Sequence, residues 1–246
     1  MKLLENKVAI VTGGNSGIGK TTAQLFARHG ARVVIAGRTA ETGQQVVDDI
    51  RAEGGEAIFI KTDVRRYEDC EQLARGAFEH YGQLDIAFNN AGSLENLVPM
   101  VDFNLEDWDR VIFTNLFGTF YSLKAQIPYM IKSGGGAIVN MASILAQIGF
   151  PGFTASAAAK GGVLSLTKVA AIENSRFGVR VNAIGPALID TSMISHLDLG
   201  SGEDLNPMGR IGTTTDVAEL VLWLSSPAAS FVTGSLYPID GGFLAR

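Results

Sequence analysis

The stretch that decides the fold is Thr12-Gly13-Gly14-Asn15-Ser16-Gly17-Ile18-Gly19, which directly follows the apolar run Val8-Ala9-Ile10-Val11. Its glycines at positions 13, 17 and 19 allow a tight turn and a close approach of the backbone to a ligand. An amphipathic segment at residues 18–29 follows at once. A buried strand, a glycine-rich turn and a helix in this order predict that the helix N-terminus binds a pyrophosphate. The glycine spacing alone would also suit an ordinary strand-to-helix turn.

The same alternation of short β-branched runs and longer amphipathic runs continues to the end of the chain. Strands are predicted at residues 8–12, 32–36, 56–60, 84–88, 137–141, 179–184 and 235–239. Helices are predicted at residues 18–29, 41–52, 68–80, 106–132, 154–176 and 214–225. Continuous apolar strands separated by helices indicate a parallel sheet covered on both faces. We therefore expect an α/β fold, a Rossmann-type doubly wound sheet of about seven strands, in a single domain over residues 1–246.

One stretch, at about residues 188–212, is less regular than the rest. It contains Gly200, Ser201, Gly202 and Pro207 and lies near the C-terminal end of the sixth predicted strand. Loops at that end of such a sheet usually carry the ligand. A loop of this length inside a compact domain is more often a lid than a simple connection, so we expect a substrate loop or lid here.

The composition excludes several classes of protein. Of the 246 residues, 46% are apolar and 18% are charged, which suits a globular chain and not a disordered one. The net charge of −5 argues against a nucleic-acid partner, because phosphate binding needs a basic face. We expect neither a membrane span nor a signal peptide, since no apolar stretch is long enough. The single cysteine, Cys70, lies among acidic neighbours, so we expect an inert thiol and a cytoplasmic protein.

The end of the second predicted strand indicates which dinucleotide would bind. An acidic residue there would bind the adenosine 2′-hydroxyl and repel a 2′-phosphate. The chain instead reads Ala36-Gly37-Arg38-Thr39, and a guanidinium suits a phosphate dianion. We therefore expect NADP(H) rather than NAD(H). The alternative is that Arg38 is an ordinary solvated surface arginine.

Further motifs occur in the order and strand context of a known family. Asn89-Asn90-Ala91-Gly92 follows the fourth predicted strand, Ser143 follows the fifth, and Pro186 begins a segment after the sixth. Together with the glycine-rich turn, these motifs make the sequence resemble the short-chain dehydrogenase/reductase family along its whole length. The resemblance implies an NADP(H)-dependent oxidoreductase of the carbonyl reductase type, which interconverts a ketone and a secondary alcohol by hydride transfer. It also implies a homotetramer packed through the helices at 106–132 and 154–176 and through the last helix and strand.

The resemblance implies roles for individual residues. The catalytic positions are Asn115, Ser143, Ser156 and Lys160. The residues expected to hold the cofactor are Gly13, Asn15, Ser16, Gly17, Ile18, Gly19, Arg38, Thr39, Asp63, Val64, Asn90, Ala91, Gly92, Lys160, Pro186, Ala187, Ile189 and Thr191. Asp63 matches an aspartate that contacts the adenine, and Ala187 stands where the family usually has glycine. The three histidines, His29, His80 and His196, fall in separate elements and do not suggest a metal site.

The chain departs from the family at its proton donor. Four residues before Lys160 the family has a tyrosine, but this sequence has Ser156. A phenol beside an ammonium is a plausible acid, whereas a serine hydroxyl is far less acidic and shorter by a whole ring. General acid–base groups contribute about 10²–10⁴-fold to rate, so we expect impaired carbonyl reduction with an intact cofactor site.

Two other functions fit parts of this pattern. The chain could be a non-catalytic NADP(H)-binding protein of the same fold, in which Ser156 is the native residue. Ser156 and Lys160, one helical turn apart, could also form a nucleophilic pair, but the sequence indicates no oxyanion hole. The substrate itself is not readable beyond an apolar pocket wall. The residues suggested for that wall are Leu145, Phe150, Phe153, Met193 and Leu197, with His196 as a further candidate for substrate contact.

Overall fold

The computed structural model describes residues 2–195 and 206–245. Its central feature is a parallel sheet with the strand order β3-β2-β1-β4-β5-β6-β7. The strands are β1 (Val8–Thr12), β2 (Arg32–Gly37), β3 (Glu56–Lys61), β4 (Ile86–Asn89), β5 (Gly136–Met141), β6 (Val179–Pro186) and β7 (Leu236–Ile239). This is the predicted doubly wound fold, and the predicted strands agree with the observed ones to within about two residues at their ends.

Helices cover both faces of the sheet, as its apolar strands require. In the described part of the chain they are α1 (Gly17–Arg28), α2 (Ala40–Ala52), α3 (Tyr67–Tyr81), α4 (Leu105–Ile112), α5 (Gly118–Lys132), α6 (Thr154–Asn174) and α7 (Thr214–Ser225). The helical stretch predicted over 106–132 is confirmed as continuous helix from Leu105 to Lys132, although it is not α-helical throughout. A π-helical turn, Phe113–Phe117, separates α4 from α5, and single π-turns of this kind often mark functional sites.

The core forms two layers because successive residues of a strand face opposite sides of the sheet. In β1, Ala9 and Val11 pack into the layer beneath α1, α2 and α7. Val8 and Ile10 pack into the layer beneath α3, α5 and α6. Each large apolar side chain that becomes fully buried contributes roughly 1.5–3 kcal/mol to folding. This two-sided core holds the C-terminal ends of the strands in fixed positions along one edge.

That edge contains the switch point of the topology. β1 pairs in parallel with both β2 and β4, so the chain continues outward in opposite directions from this position. In open α/β sheets the crevice outside the strand ends at such a point is where ligands bind. The glycine-rich turn after β1 lies at this crevice.

The predicted lid is only partly described. Residues 188–195 and 206–212 belong to the described part, whereas His196 and Leu197 lie outside it. A backbone bridge between Ile189 and Gly212 brings the two described ends together. Ile189 itself is buried, so the base of this segment is packed onto the domain.

Cys70 is buried on α3, and burial raises the pKa of its thiol to about 11. The charges of the acidic neighbours also raise this pKa, but they contribute less than burial. Among the described helices, none has both the length and the apolar character needed to cross a bilayer.

Candidate active site

The glycine-rich turn adopts the backbone conformation that its glycines make possible. Gly13 has φ +65° and Gly17 has φ +49°, both in the left-handed region that disfavours other residues. The Gly13 amide donates to the Ala36 carbonyl of β2 at 2.8 Å, which fixes the turn against the neighbouring strand. A Cβ on Gly19 would lie 2.3 Å from the Gly13 carbonyl oxygen, so α1 can approach the turn only because position 19 lacks a side chain.

A second loop, after β4, is tied to this turn through Thr12. The Thr12 hydroxyl accepts hydrogen bonds from the backbone amides of Asn90 at 3.0 Å and Ala91 at 3.1 Å. The Asn90 side chain donates to the carbonyls of Thr12 at 3.0 Å and Gly13 at 3.3 Å. The Asn-Ala-Gly motif at residues 90–92 therefore braces the glycine-rich turn.

The start of α1 is suited to an anion. Ser16 occupies the N-cap position and, within the described residues, its side chain makes no capping hydrogen bond. The first turn of α1 also contains no acidic residue. Its amide groups and the positive end of the helix dipole are therefore directed toward the crevice. The glycine turn and this helix start fit the pyrophosphate of a dinucleotide.

The adenosine end of the crevice carries positive charge. Arg38 follows β2, is exposed, and has no ion-pair partner among the described residues. Asp63 follows β3 and accepts hydrogen bonds from the Arg65 side chain, at 2.9 Å from Nε to Oδ1. Hydrogen bonding from Arg65 lowers the pKa of Asp63, and the nearby charge of Arg38 lowers it further. Arg65 was not predicted from the sequence, although its guanidinium pairs with Asp63 at the end of β3.

The remaining predicted cofactor residues on this side have structural contacts as well. Asn15 donates to the Thr42 hydroxyl at 3.0 Å, which joins the glycine turn to α2. Thr39 is exposed at the N-cap of α2. Val64 is buried against α5, where a Cβ on Gly118 would lie 2.8 Å from its side chain.

The segment after β6 lies over the glycine-rich turn from the opposite side. The Ala187 amide donates to the Ile239 carbonyl of β7 at 3.1 Å. Further along, the Thr191 side chain lies 3.5 Å from where a Cβ on Gly17 would stand. Residues 186–191 and the start of α1 therefore form two walls of one crevice.

Asn115 lies inside the π-helical turn and is 2% exposed. Its side-chain oxygen accepts from the Ser93 amide at 2.8 Å, and its nitrogen donates to the Ser93 carbonyl at 2.9 Å. The π-turn thus directs this amide at the loop after β4.

Ser143 follows β5 at the edge of the cavity. Its hydroxyl donates to the Pro186 carbonyl at 3.3 Å and accepts from the Leu145 amide at 3.2 Å. These two contacts fix the hydroxyl between the ends of β5 and β6.

Ser156 and Lys160 lie on consecutive turns of α6, but their polar groups contact different partners. The Ser156 hydroxyl donates to Oε2 of Glu95, and the Ser156 amide donates to Oε1 of the same carboxylate at 2.8 Å. Lys160 Nζ donates to the Met141 carbonyl at 2.6 Å. Burial lowers the pKa of Lys160 to about 8, and the charge of Glu95 partly opposes this effect.

Glu95 was not found by sequence reasoning. It lies 61 positions before Ser156, in a loop that has no motif of its own. Only the folding of the β4 loop onto the start of α6 brings the two side chains together.

The catalytic candidates share one cavity of about 520 Å³. The predicted site residues that line it are Ile18, Asn90, Gly92, Asn115, Ser143, Ser156, Lys160, Pro186, Ala187, Ile189 and Thr191. The other predicted cofactor residues are not among those that line this cavity. Four of the suggested wall residues, Leu145, Phe150, Phe153 and Met193, line it as well. The lining also includes apolar side chains that the sequence did not indicate, such as Leu94, Leu97 and Phe243.

Comparison with known proteins agrees with this geometry. A family described as enoyl-(acyl carrier protein) reductase matches residues 13–244. Cyclohexanol dehydrogenase from Acinetobacter sp. (strain SE19) is 42% identical over 241 residues, which cover 98% of this chain and 96% of the relative. A 2,5-dichloro-2,5-cyclohexadiene-1,4-diol dehydrogenase from Sphingobium indicum is 38% identical over the full length of both chains.

A solved structure extends the similarity to three dimensions. The short-chain type dehydrogenase/reductase from Mycobacterium ulcerans superposes with a TM-score of 0.95 and 33% identity, covering 99% of this chain and 91% of that one. The relatives and the solved structure cover nearly the whole of this chain. The chain therefore belongs to the short-chain dehydrogenase/reductase family, whose members are oxidoreductases that use a nicotinamide dinucleotide.

Proposed function

We propose that this protein is an NADP(H)-dependent oxidoreductase of the carbonyl reductase type, which interconverts a secondary alcohol and a ketone. The observation that carries the proposal is the convergence of Asn115, Ser143, Ser156 and Lys160 on one apolar cavity beside the glycine-rich turn. Carbonyl reduction is slowed by Ser156, which replaces the expected phenol. The buried thiol of Cys70 would stay reduced in the cytoplasm, which we propose as its compartment.

The proposed preference for NADP(H) depends on charge at the end of β2. Arg38 is exposed and has no carboxylate partner among the described residues, so its guanidinium is available to an anion. Asp63 lies close enough for the charge of Arg38 to lower its pKa, but Asp63 is already paired with Arg65. A 2′-phosphate placed here would meet a net positive field.

The substitution Arg38→Ala should weaken NADPH binding much more than NADH binding. A charge-assisted hydrogen bond of this kind contributes about 1.5–3 kcal/mol, equivalent to roughly 10–150-fold in dissociation constant. Fluorescence titration of both cofactors measures the difference. Arg75→Ala, which removes an exposed arginine from α3, serves as the matched control and should leave both affinities unchanged. An equal loss for both cofactors in Arg38→Ala would contradict the assignment.

The cavity favours an uncharged substrate with an apolar body. Among the described residues that line it, Lys160 alone has an ionisable side chain, and that side chain is engaged with the Met141 carbonyl. A free carboxylate or phosphate on the substrate would find no other cation among them. The two similar dehydrogenases act on cyclohexanol and on a chlorinated cyclohexadiene diol, as their names state. We therefore propose cyclic secondary alcohols and their ketones as the substrate class.

The proposed chemistry divides among the chain's own groups. Bound NADP(H) supplies or accepts the hydride. Ser143, whose hydroxyl is fixed between two strand ends, orients the substrate oxygen by a hydrogen bond. Lys160 places an ammonium beside the cavity, and below pH 8 its charge favours negative charge that develops on that oxygen. Asn115 holds the β4 loop, through Ser93, against the cavity.

The proposal is tested by measuring cofactor binding and turnover separately. The purified protein is titrated with NADPH and then assayed with cyclohexanone, cyclohexanol and a panel of acyclic and charged analogues. We expect NADPH binding, with turnover of the uncharged cyclic compounds above that of charged analogues. Absence of NADPH binding would overturn the proposal. Binding without any turnover, even after Ser156→Tyr, would favour a non-catalytic NADP(H)-binding protein, which the missing tyrosine also suits.

We also propose that the protein is a homotetramer. Phe113, Phe117 and Phe120 are 42%, 37% and 42% exposed, and the rings of Phe113 and Phe117 contact each other with centroids 4.8 Å apart. On α6, Val169 and Ile172 are 52% and 80% exposed. Helices that present apolar side chains on several faces suit packing against a second copy.

The substitution Phe120→Asp should break this assembly into dimers or monomers. A carboxylate in an apolar interface costs several kcal/mol unless it is paired, which exceeds what a single lost contact would cost. Light scattering gives the mass directly. Val101→Asp, which adds the same charge to a 92% exposed position outside these helices, should leave the mass unchanged. A wild-type protein of monomer mass would refute the tetramer.

A further inference from the structure

Glu95 is a buried carboxylate to which the chemistry above gives no role. It lies in the loop after β4 and is 3% exposed. It is not among the described residues that line the cavity, so it lies behind the cavity wall. A buried carboxylate is costly unless hydrogen bonds compensate, and Glu95 accepts two hydrogen bonds from Ser156.

The two oxygens of Glu95 have different partners. Oε1 accepts from the Ser156 amide in the first turn of α6, at 2.8 Å. This contact caps the helix, and the helix dipole favours the negative charge. Capping therefore accounts for one oxygen. The other, Oε2, accepts from the Ser156 hydroxyl, which lines the cavity.

This second contact fixes the direction of the Ser156 hydroxyl. Its proton is committed to Glu95, so the oxygen is left with lone pairs that can accept a proton from the cavity side. A serine held in this way differs from an isolated serine, since a carboxylate stands ready to take its proton. Glu95 is therefore connected to the cavity by its hydrogen bond from the Ser156 hydroxyl, although its own side chain does not line the cavity.

We propose that Glu95 is a positioning residue and proton acceptor behind Ser156, and that the pair takes the place of the missing tyrosine in alcohol oxidation. The inference rests on the proposed function. The substrate O–H bond breaks and its proton moves to Ser156 Oγ, while the Ser156 hydroxyl proton moves to Glu95 Oε2. The electron pair of the substrate C–H bond leaves as hydride to bound NADP⁺. The products are the ketone, NADPH and a protonated Glu95, which later returns its proton to solvent.

The charges around Glu95 suit this direction of transfer. Lys160, on the next turn of α6, is the cation whose pKa the charge of Glu95 influences. On α4, Asp107 and Arg110 pair with each other, and they bind the backbone of Asn96 and Leu94 on either side of Glu95. An ionised carboxylate accepts protons and does not donate them. The pair therefore supports alcohol oxidation better than ketone reduction.

The test is a double-mutant cycle of Glu95→Gln and Ser156→Ala. E95Q keeps an oxygen that can cap α6 but cannot take a proton, and S156A keeps the amide while removing the hydroxyl. We expect each to lower kcat for cyclohexanol oxidation by about 10²-fold or more, and the double variant to be no worse than either. E95Q should lower kcat with little change in KM, because the carboxylate acts on the proton in the transition state and not on substrate binding. Melting temperature and NADPH affinity are measured on all four proteins.

Infrared spectroscopy without cofactor tests the contact between Ser156 and Glu95 independently of the kinetics. The infrared difference between wild type and E95Q identifies the carboxylate stretch of Glu95. S156A should shift that band in the absence of any ligand, because it removes the hydrogen bond to Oε2. An unshifted band would contradict the contact on which the proposal depends.

The outcomes separate this inference from the proposed function. The proposed proton transfer from Ser156 to Glu95, here called the relay, would be overturned in either of two cases. One is that the losses in kcat multiply in the double variant, and the other is that E95Q is as fast as wild type. Glu95 would then act only as a helix cap. A wild-type protein that binds NADPH yet oxidises no alcohol, while Ser156→Tyr does, would overturn the relay and leave the proposed function standing. A protein that fails to bind NADPH would overturn both.

Discussion

Ser156→Tyr is expected to raise the kcat of ketone reduction by about 10²–10⁴-fold, the usual contribution of a general acid. The new phenol would stand one helical turn before Lys160, whose ammonium favours the ionised form of a neighbouring acid. Ser156 borders a cavity of about 520 Å³, so a ring has space on that side. The gain should appear in kcat and not in NADPH affinity, because proton donation acts in the transition state.

The matched control for this prediction is Ser156→Phe, which adds the ring without the hydroxyl. It should leave ketone reduction as slow as in wild type, and both variants should lose the hydroxyl contact to Glu95 equally. The measurement is steady-state NADPH oxidation at saturating cofactor with the same ketones. A serine protein that already reduces ketones as fast as the tyrosine variant would show that another group, or water near Lys160, donates the proton.

The fold class was predictable because it depends on repeated local patterns. The strands are short apolar runs such as Val8–Thr12, and helices separate successive strands from β1 to β7, so errors at single residues do not accumulate. The glycine-rich turn was predictable for a related reason. Gly13 and Gly17 adopt left-handed φ values that the sequence marks by residue type alone.

The features that were missed depend on contacts between distant segments. The π-turn around Asn115 has no signature in its residues Phe113–Phe117, and its position follows from hydrogen bonds between Asn115 and Ser93. The contact between Glu95 and Ser156 is of the same kind. From the sequence, Ser156 was interpreted only as the loss of the tyrosine that donates the proton. In the structure, its hydroxyl donates a hydrogen bond to the buried carboxylate of Glu95. Lys160 was predicted as a site residue from its position in the motif, but its hydrogen bond to the Met141 carbonyl was not predicted.

Lys160→Met is expected to lower cyclohexanol oxidation by about 10²–10⁴-fold while making the protein more stable at pH 7. The loss of activity follows from the removal of the cation that faces the cavity beside Ser156. The gain in stability follows from burial, which lowers the pKa of Lys160 from the ordinary 10.5 to about 8. At pH 7 the lysine is charged in both the folded and the unfolded chain, so folding must bury that charge. A pKa difference of this size corresponds to about 3 kcal/mol of folding free energy.

The net gain is smaller because the substitution leaves the Met141 carbonyl without its donor, at a cost of about 1–2 kcal/mol. We therefore expect the melting temperature at pH 7 to rise by about 3–6 °C.

The sign of the pH dependence follows from proton binding. Between pH 8 and 10.5 the folded wild type binds fewer protons than the unfolded chain, so its stability rises with pH. The advantage of Lys160→Met should be full below pH 8 and shrink across this window. Lys132→Met, at an exposed position of α5, should show neither effect. A variant that is both inactive and less stable at pH 7 would contradict this prediction. It would show that the hydrogen bond from Lys160 to the Met141 carbonyl stabilises the fold by more than burial of the lysine charge destabilises it. The position of Lys160 beside the cavity would then not be a compromise between stability and catalysis.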